Sequence, residues 1–130
     1  MRVLFVDDNM LNRRVVKEML CAGGIQMDEA DGGEAGLRMI EANDYDLVLM
    51  DLRMPGMDGK TAIRHLRARG DRKAGVPVIV VTADAGPTVE AECREAGADD
   101  LILKPISIAS LFKGVEALLG RRTPGMARVA

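Results

Sequence analysis

Residues 47–59 read LVLMDLRMPGMDG. Four apolar residues, Leu47 to Met50, lead straight into an acid, Asp51. A short apolar run bounded by turn residues predicts a strand buried on both faces, as in a parallel sheet. Met54-Pro55-Gly56 and Asp58-Gly59 are turn chemistry, so the chain leaves that strand into a loop. Asp51 is thereby placed at the carboxyl end of a buried strand, where open α/β sheets gather their ligands. Alone, such an Asp reads equally well as a strand terminator. The rest of the chain decides.

Upstream, Arg2 to Val6 (RVLFV) is an apolar run that ends in Asp7-Asp8-Asn9. Leu11, Val15, Met19 and Leu20 then recur at helical spacing until Gly23-Gly24 stops the helix. Ile25 to Ala30 is a half-polar strand suited to a sheet edge. Asp31-Gly32-Gly33 turns into a helix with Ala35, Gly36, Met39 and Ile40 inward. Downstream, Gly59 to Arg69 is predicted helical, burying Ala62, Ile63 and Leu66, with a polar loop from Gly70 to Gly75. Val76 to Val81 (VPVIVV) is the fourth strand, with Thr82 at its end. A short polar helix over Pro87 to Ala96 turns Val89 and Cys93 inward, and Asp100 to Leu103 forms a fifth strand ending at Lys104-Pro105. Ser107 is a candidate N-cap for a last helix striped by Ile108, Leu111, Phe112, Val115, Leu118 and Leu119. Strands separated by helices force right-handed crossovers. The predicted class is α/β: a flavodoxin-like, doubly wound, five-stranded parallel sheet of order 2-1-3-4-5 with five helices.

With 130 residues the chain suits one domain, placed over 1–119, with 120–130 expected to be a disordered tail. Apolar residues make up 48% but aromatics only 2%, so aliphatics and nine methionines must fill the core. Net charge is −2, and the tail contributes Arg121, Arg122 and Arg128 without an acid, so the folded part is more acidic still. That balance argues against direct nucleic-acid binding. No run is long enough to span a membrane and no signal peptide is evident, so a soluble, cytoplasmic domain is expected. Cys21 and Cys93 match no metal spacing and read as reduced core residues.

The strand ends collect chemistry. Asp7 and Asp8 follow strand one, Asp51 ends strand three, Thr82 strand four and Lys104 strand five. Strands one and three are neighbours in the predicted order, so three carboxylates converge on one pocket beside a hydroxyl and an ammonium. Clustered carboxylates repel unless a cation neutralises them. An oxygen-only site with few protein ligands suits Mg²⁺. An Asp beside such a metal is a candidate nucleophile that forms an aspartyl-phosphate, with Thr82 and Lys104 holding phosphoryl oxygens.

DD at Asp7-Asp8, MDLRMPGMDG around Asp51, VTA at Val81 to Ala83 and LKP at Leu103 to Pro105 together resemble the receiver domain of two-component response regulators. The likeness covers roughly Arg2 to Leu119, and VDDNxLNR at Val6 to Arg13 resembles receivers of hybrid kinases and their single-domain relatives. Met1 directly before the first strand favours the single-domain form. The resemblance implies phosphotransfer from a phosphohistidine to Asp51. It also implies Mg²⁺ held by Asp8, Asp51 and the backbone carbonyl of Arg53, with Asp7 acting mostly through water. Thr82 and Lys104 would bind the phosphoryl group, and the Lys104-Pro105 bond is expected to be cis. Such a domain catalyses only its own phosphorylation and dephosphorylation, and is not an enzyme in the conventional sense. Its partners would be a histidine kinase or histidine phosphotransfer domain and a downstream protein.

The chain departs from the family where an aromatic switch residue commonly precedes the lysine by three positions; here it is Leu101. Thr82 and Leu101 are therefore the expected switch pair, with weaker coupling than an aromatic supplies. Arg53 and Asp84 each follow a pocket residue by two positions and are expected to flank the phosphoryl site. Met10, Met54 and Met57 read either as packing or as an adaptable rim for a partner. His65, the single histidine, reads as a surface residue, and Glu90 to Glu95 as a solvated helix face. A flavodoxin-like redox module would need ring-stacking aromatics beyond Phe5, Tyr45 and Phe112. A haloacid-dehalogenase-type phosphatase would need DxDxT, whereas Leu52, Arg53 and Met54 follow Asp51. A phosphorylation-independent interaction module would have no use for intact acceptor, metal and lysine positions.

Overall fold

The computed structural model describes residues 1–84 and 86–122, the side chains of 119–122 excepted. Its elements follow in the order β1 (Arg2–Val6), α1 (Met10–Ala22), β2 (Gln26–Ala30), α2 (Gly33–Ala42), β3 (Leu47–Asp51), α3 (Gly59–Arg67), a 3₁₀ turn (Arg72–Gly75), β4 (Val78–Thr82), α4 (Pro87–Ala96), β5 (Asp100–Leu103) and α5 (Ile108–Arg122). All strands pair in parallel, in the order β2-β1-β3-β4-β5. This is the expected doubly wound sheet.

Each face of the sheet carries its own core. Leu4, Val6, Val48, Met50, Val78 and Val80 pack against α2, α3 and α4. Val3, Phe5, Leu47, Leu49, Ile79 and Val81 pack against α1 and α5. The central strands β3 and β4 are buried at every position. Each fully buried aliphatic side chain contributes about 1.5–3 kcal/mol, so this core can carry an electrostatically unfavourable pocket at its edge.

Caps fix where the helices begin. The Asn9 side chain accepts from Asn12 N at 3.1 Å, Asp58 from Thr61 N at 2.8 Å, and Ser107 from Ser110 N at 3.1 Å. Gly97, at φ 118°, closes α4 in the left-handed region.

Four expectations need correction. In α1 the sheet-facing pair is Val16 and Leu20, while Leu11 and Val15 are 65% and 48% exposed. Two apolar stripes lie one residue apart there, and the helix turns the second inward. Cys21 is exposed, since it follows buried Leu20 and points about 100° away around the helix; Cys93 is buried. β4 begins at Val78, because Pro77 has no N–H for the ladder and offers only its carbonyl, to Val48 N at 2.9 Å. Among the methionines, Met54 is core, Met57 packs against Gly33 and Met10 is exposed, so they form no single rim.

Lesser differences follow the same logic. Ile108 is exposed at the start of α5, whereas Leu111, Val115 and Leu118 are buried; Leu119's side chain lies outside the described residues. Within Glu90–Glu95, Glu92 is half-buried and pairs with Lys60, tying α4 to α3. His65 is exposed, as expected. α5 continues through Arg122, three residues into the expected tail, and 123–130 lie outside the described residues. No helix among those described is long and apolar enough to cross a membrane.

Candidate functional site

Strand register assembles the site. Val6 pairs with Met50, so the next residues, Asp7 and Asp51, stand side by side at the carboxyl edge. Asp51 pairs with Val81, which sets Thr82 one step beyond it. Thr82 pairs with Leu103, which delivers Lys104 to the same level. Four short strands with one shared register thus place four polar groups around one cleft, of about 420 Å³, which Asp8, Asn12, Arg53 and Asp84 also line.

Asp7, Asp51 and Thr82 are 0%, 5% and 3% exposed, whereas Asp8 stands in solvent. Carboxylate oxygens of Asp7, Asp8 and Asp51 all lie within 4.8 Å of one another. At an effective dielectric of about 20, two unit charges at that separation repel by about 3 kcal/mol. The Lys104 ammonium answers part of this, at 3.3 Å from Asp51 Oδ1 and 3.4 Å from Asp7 Oδ2. Burial raises the Asp51 carboxyl above its ordinary value; the Asp7 charge pushes the same way and Lys104 opposes it. The imbalance of three acids against one ammonium, all ligands oxygen, fits a hard divalent cation such as Mg²⁺.

Asp7 is the most tightly held of the acids. Its Oδ1 accepts from Asn9 N at 2.8 Å and its Oδ2 from Asn12 Nδ2 at 3.3 Å. Its carbonyl accepts from Arg13 Nη1 at 2.6 Å, and the same guanidinium reaches Glu29 on β2. Thr82 Oγ1 accepts from Asp84 N at 3.1 Å, which orients the hydroxyl and leaves its proton for an incoming acceptor. Leu101, half-buried on β5, brings no polar group to Thr82. The Lys104-Pro105 bond is cis.

Two residues were not singled out from sequence. Gly59 opens α3 with its Cα against the strand end: an added Cβ would lie 2.2 Å from the Asp51 carbonyl oxygen. Its N–H donates to Leu52 O at 2.9 Å, folding the Met-Pro-Gly loop back onto β3. Asn12, five residues beyond Asp7, is the other; an amide at the first turn of a helix that follows an acid was the available signal.

Comparison with known proteins agrees with this geometry. The model of the response regulator receiver domain matches residues 3–116. The chain is 35% identical to chemotaxis protein CheY-3 of Vibrio cholerae, over 93% of each chain. It is 40% identical to the transcriptional regulatory protein ResD of Bacillus subtilis, over 92% of this chain and 48% of that one. The receiver domain of the sensor histidine kinase PA1611 from Pseudomonas aeruginosa, solved with a magnesium ion coordinated in its active site cleft, superposes with a TM-score of 0.84 at 34% identity, covering 92% of this chain and 97% of that one. The chain spans about half the length of several curated regulators it matches. On sequence, fold and the strand-end acids alike, the chain belongs to the response regulator receiver domain family.

Proposed function

We propose that the chain accepts a phosphoryl group from a phosphohistidine onto Asp51, in a Mg²⁺-dependent reaction, and signals through contacts that change with phosphorylation. The observation that carries this is the buried Asp51 carboxylate, 3.3 Å from the Lys104 ammonium and grouped with Asp7 and Asp8. The donor would be a histidine kinase or a histidine phosphotransfer domain, and the output a contact with another protein. The reading places the protein in the cytoplasm. It also makes the chain a catalyst only of its own phosphorylation and dephosphorylation.

An Asp51 oxygen attacks phosphorus in line with the P–N bond of the donor. The new O–P bond forms as the P–N electrons leave to the imidazole, which takes a proton from solvent. Lys104 then follows the charge onto a phosphoryl oxygen, and the Thr82 hydroxyl donates to another. Asp8, Asp51 and the Arg53 main-chain carbonyl would hold Mg²⁺, with Asp7 acting through a water. A Mg²⁺ ion held there would neutralise the acids and draw charge from the phosphoryl oxygens. Dephosphorylation reverses the acceptor's role: water attacks phosphorus, inorganic phosphate leaves, and the Asp51 carboxylate returns.

Phosphoramidate carries the same P–N bond as phosphohistidine and so tests the donor chemistry. After incubation with Mg²⁺, borohydride reduction and peptide mapping should locate an acyl phosphate at Asp51. A label on another residue, or none, would sink the proposal.

A further inference from the structure

We propose that Asn12 is a positioning residue for this reaction: its amide holds the buried Asp7 carboxylate so that Lys104 is free to leave it for the phosphoryl group. The inference rests on the phosphoacceptor reading above.

Asp7 has no solvent contact. Its Oδ1 takes the Asn9 N–H at 2.8 Å, and its Oδ2 is shared by Asn12 Nδ2 at 3.3 Å and Lys104 Nζ at 3.4 Å. The orientation of the Asn12 amide follows from its partner, since a carboxylate accepts and only the NH₂ end can donate. Lys104 is already divided between Asp7 and Asp51. A phosphoryl group on Asp51 sets new anionic oxygens before the same ammonium. Asp7 Oδ2 would then lose its ammonium partner although its side chain has no exposed surface, and a buried charged acceptor short of a donor is unfavourable. Asn12 stays when Lys104 goes.

Two features suit Asn12 to this task. Both of its hydrogen bonds sit on one rigid turn: Asn9 caps α1 through the Asn12 N–H, and the Asn12 side chain returns to Asp7. An amide is also neutral. It fixes the carboxylate without cancelling the negative charge that attracts a divalent cation, which an Arg or Lys in its place would do. Removing it should therefore loosen the acid cluster that binds Mg²⁺ as well as the state that follows phosphorylation. Partners that orient metal-binding acids in this way typically matter about tenfold or more in metal affinity.

The test is the dissociation constant for Mg²⁺, measured by isothermal titration calorimetry on the whole chain. Asn12→Leu keeps a side chain branched at the same carbon, is larger and a better helix former than Asn, and removes the donor. Asn12→Gln restores a donor at the same helical position, where two clefts leave room for the extra methylene. Expected is a Mg²⁺ dissociation constant at least about fivefold higher in Asn12→Leu and within about twofold of wild type in Asn12→Gln. A smaller rise in the Leu variant, or a Gln variant as weak as the Leu variant, overturns the proposal. Should Asn12→Leu not fold, Asn12→Ala is read by the same limits. Failure of this kind leaves the wild type still binding Mg²⁺ and still labelled at Asp51. A wild type that binds no Mg²⁺ would instead sink the phosphoacceptor reading beneath it.

Discussion

The Arg53 guanidinium and the Asp84 carboxylate stand 3.7 Å apart, both lining the cleft that holds Asp51. Their side chains are 85% and 53% exposed, so the pair contributes little to stability. Its effect is expected on access: hydrolysis of an aspartyl-phosphate needs a water in line with the bond to Asp51, and the tethered Arg53 obstructs that approach. Arg53→Ala and Asp84→Ala should each speed decay of the phosphorylated protein by roughly up to fivefold, the kinetic equivalent of about 1 kcal/mol. The double variant should decay no faster than the faster single. Equal rates in all four proteins would leave the pair without this role.

Mg²⁺ should stabilise the fold. A ligand that binds only the folded state at a hundredfold excess over its dissociation constant adds about 2.7 kcal/mol, a melting shift on the order of 10 °C for a domain of this size. Asp8→Ala removes one of the three clustered acids. It should raise metal-free stability by up to about 1 kcal/mol and abolish the metal-induced shift. Differential scanning calorimetry with millimolar Mg²⁺ and with chelator checks both.

Two carboxylates should give pH dependences of opposite sign. Asp51 has a raised pKa in the metal-free fold. Between the unfolded value near 3.8 and that raised value the folded state binds more protons, so its contribution to stability falls as pH rises. The stability of wild type relative to Asp51→Asn should therefore decline with rising pH when metal is absent. Asp58 is lowered, chiefly by the Thr61 backbone N–H it caps. Its contribution is present above the unfolded value and lost as pH falls through the folded one. Asp58→Ala should cost about 1 kcal/mol at neutral pH and progressively less in acid, by urea titration at each pH.

Activation should reach the surface through Thr82. Its Oγ1 already holds the Asp84 N–H, so movement of the hydroxyl toward a phosphoryl oxygen pulls directly on the chain that enters α4. Leu101 has no hydroxyl to exchange partners. Hydrogen exchange with beryllofluoride, a phosphoryl mimic, should change mainly between Thr82 and Ala96. Changes centred on α2 would contradict this route.

The strands and the acids were legible because their signals are local. An apolar run that ends in Asp, Thr or Lys carries its own boundary, and parallel register carries those ends to one place. What could not be read depended on rotation or on close contact. In α1 the expected stripe Leu11, Val15, Met19 and Leu20 runs beside Val16, and only docking on the sheet turns Val16 and Leu20 inward, with Met19 packed at their side, and leaves Leu11 and Val15 out. Gly59 read as turn chemistry and a helix start, with nothing to mark its close approach, because the carbonyl it lies against belongs to a residue eight positions earlier. Asn12 stood in a quoted motif without a role, since its partner Asp7 is set by the start of α1 and by no spacing rule.

The most direct test is intact-protein mass spectrometry after incubation with acetyl phosphate and Mg²⁺. Wild type should gain the mass of one phosphoryl group, and neither chelator-treated protein nor Asp51→Asn should gain it. Asp51→Asn acquiring that mass in similar yield would contradict the assignment of Asp51 as the phosphoacceptor.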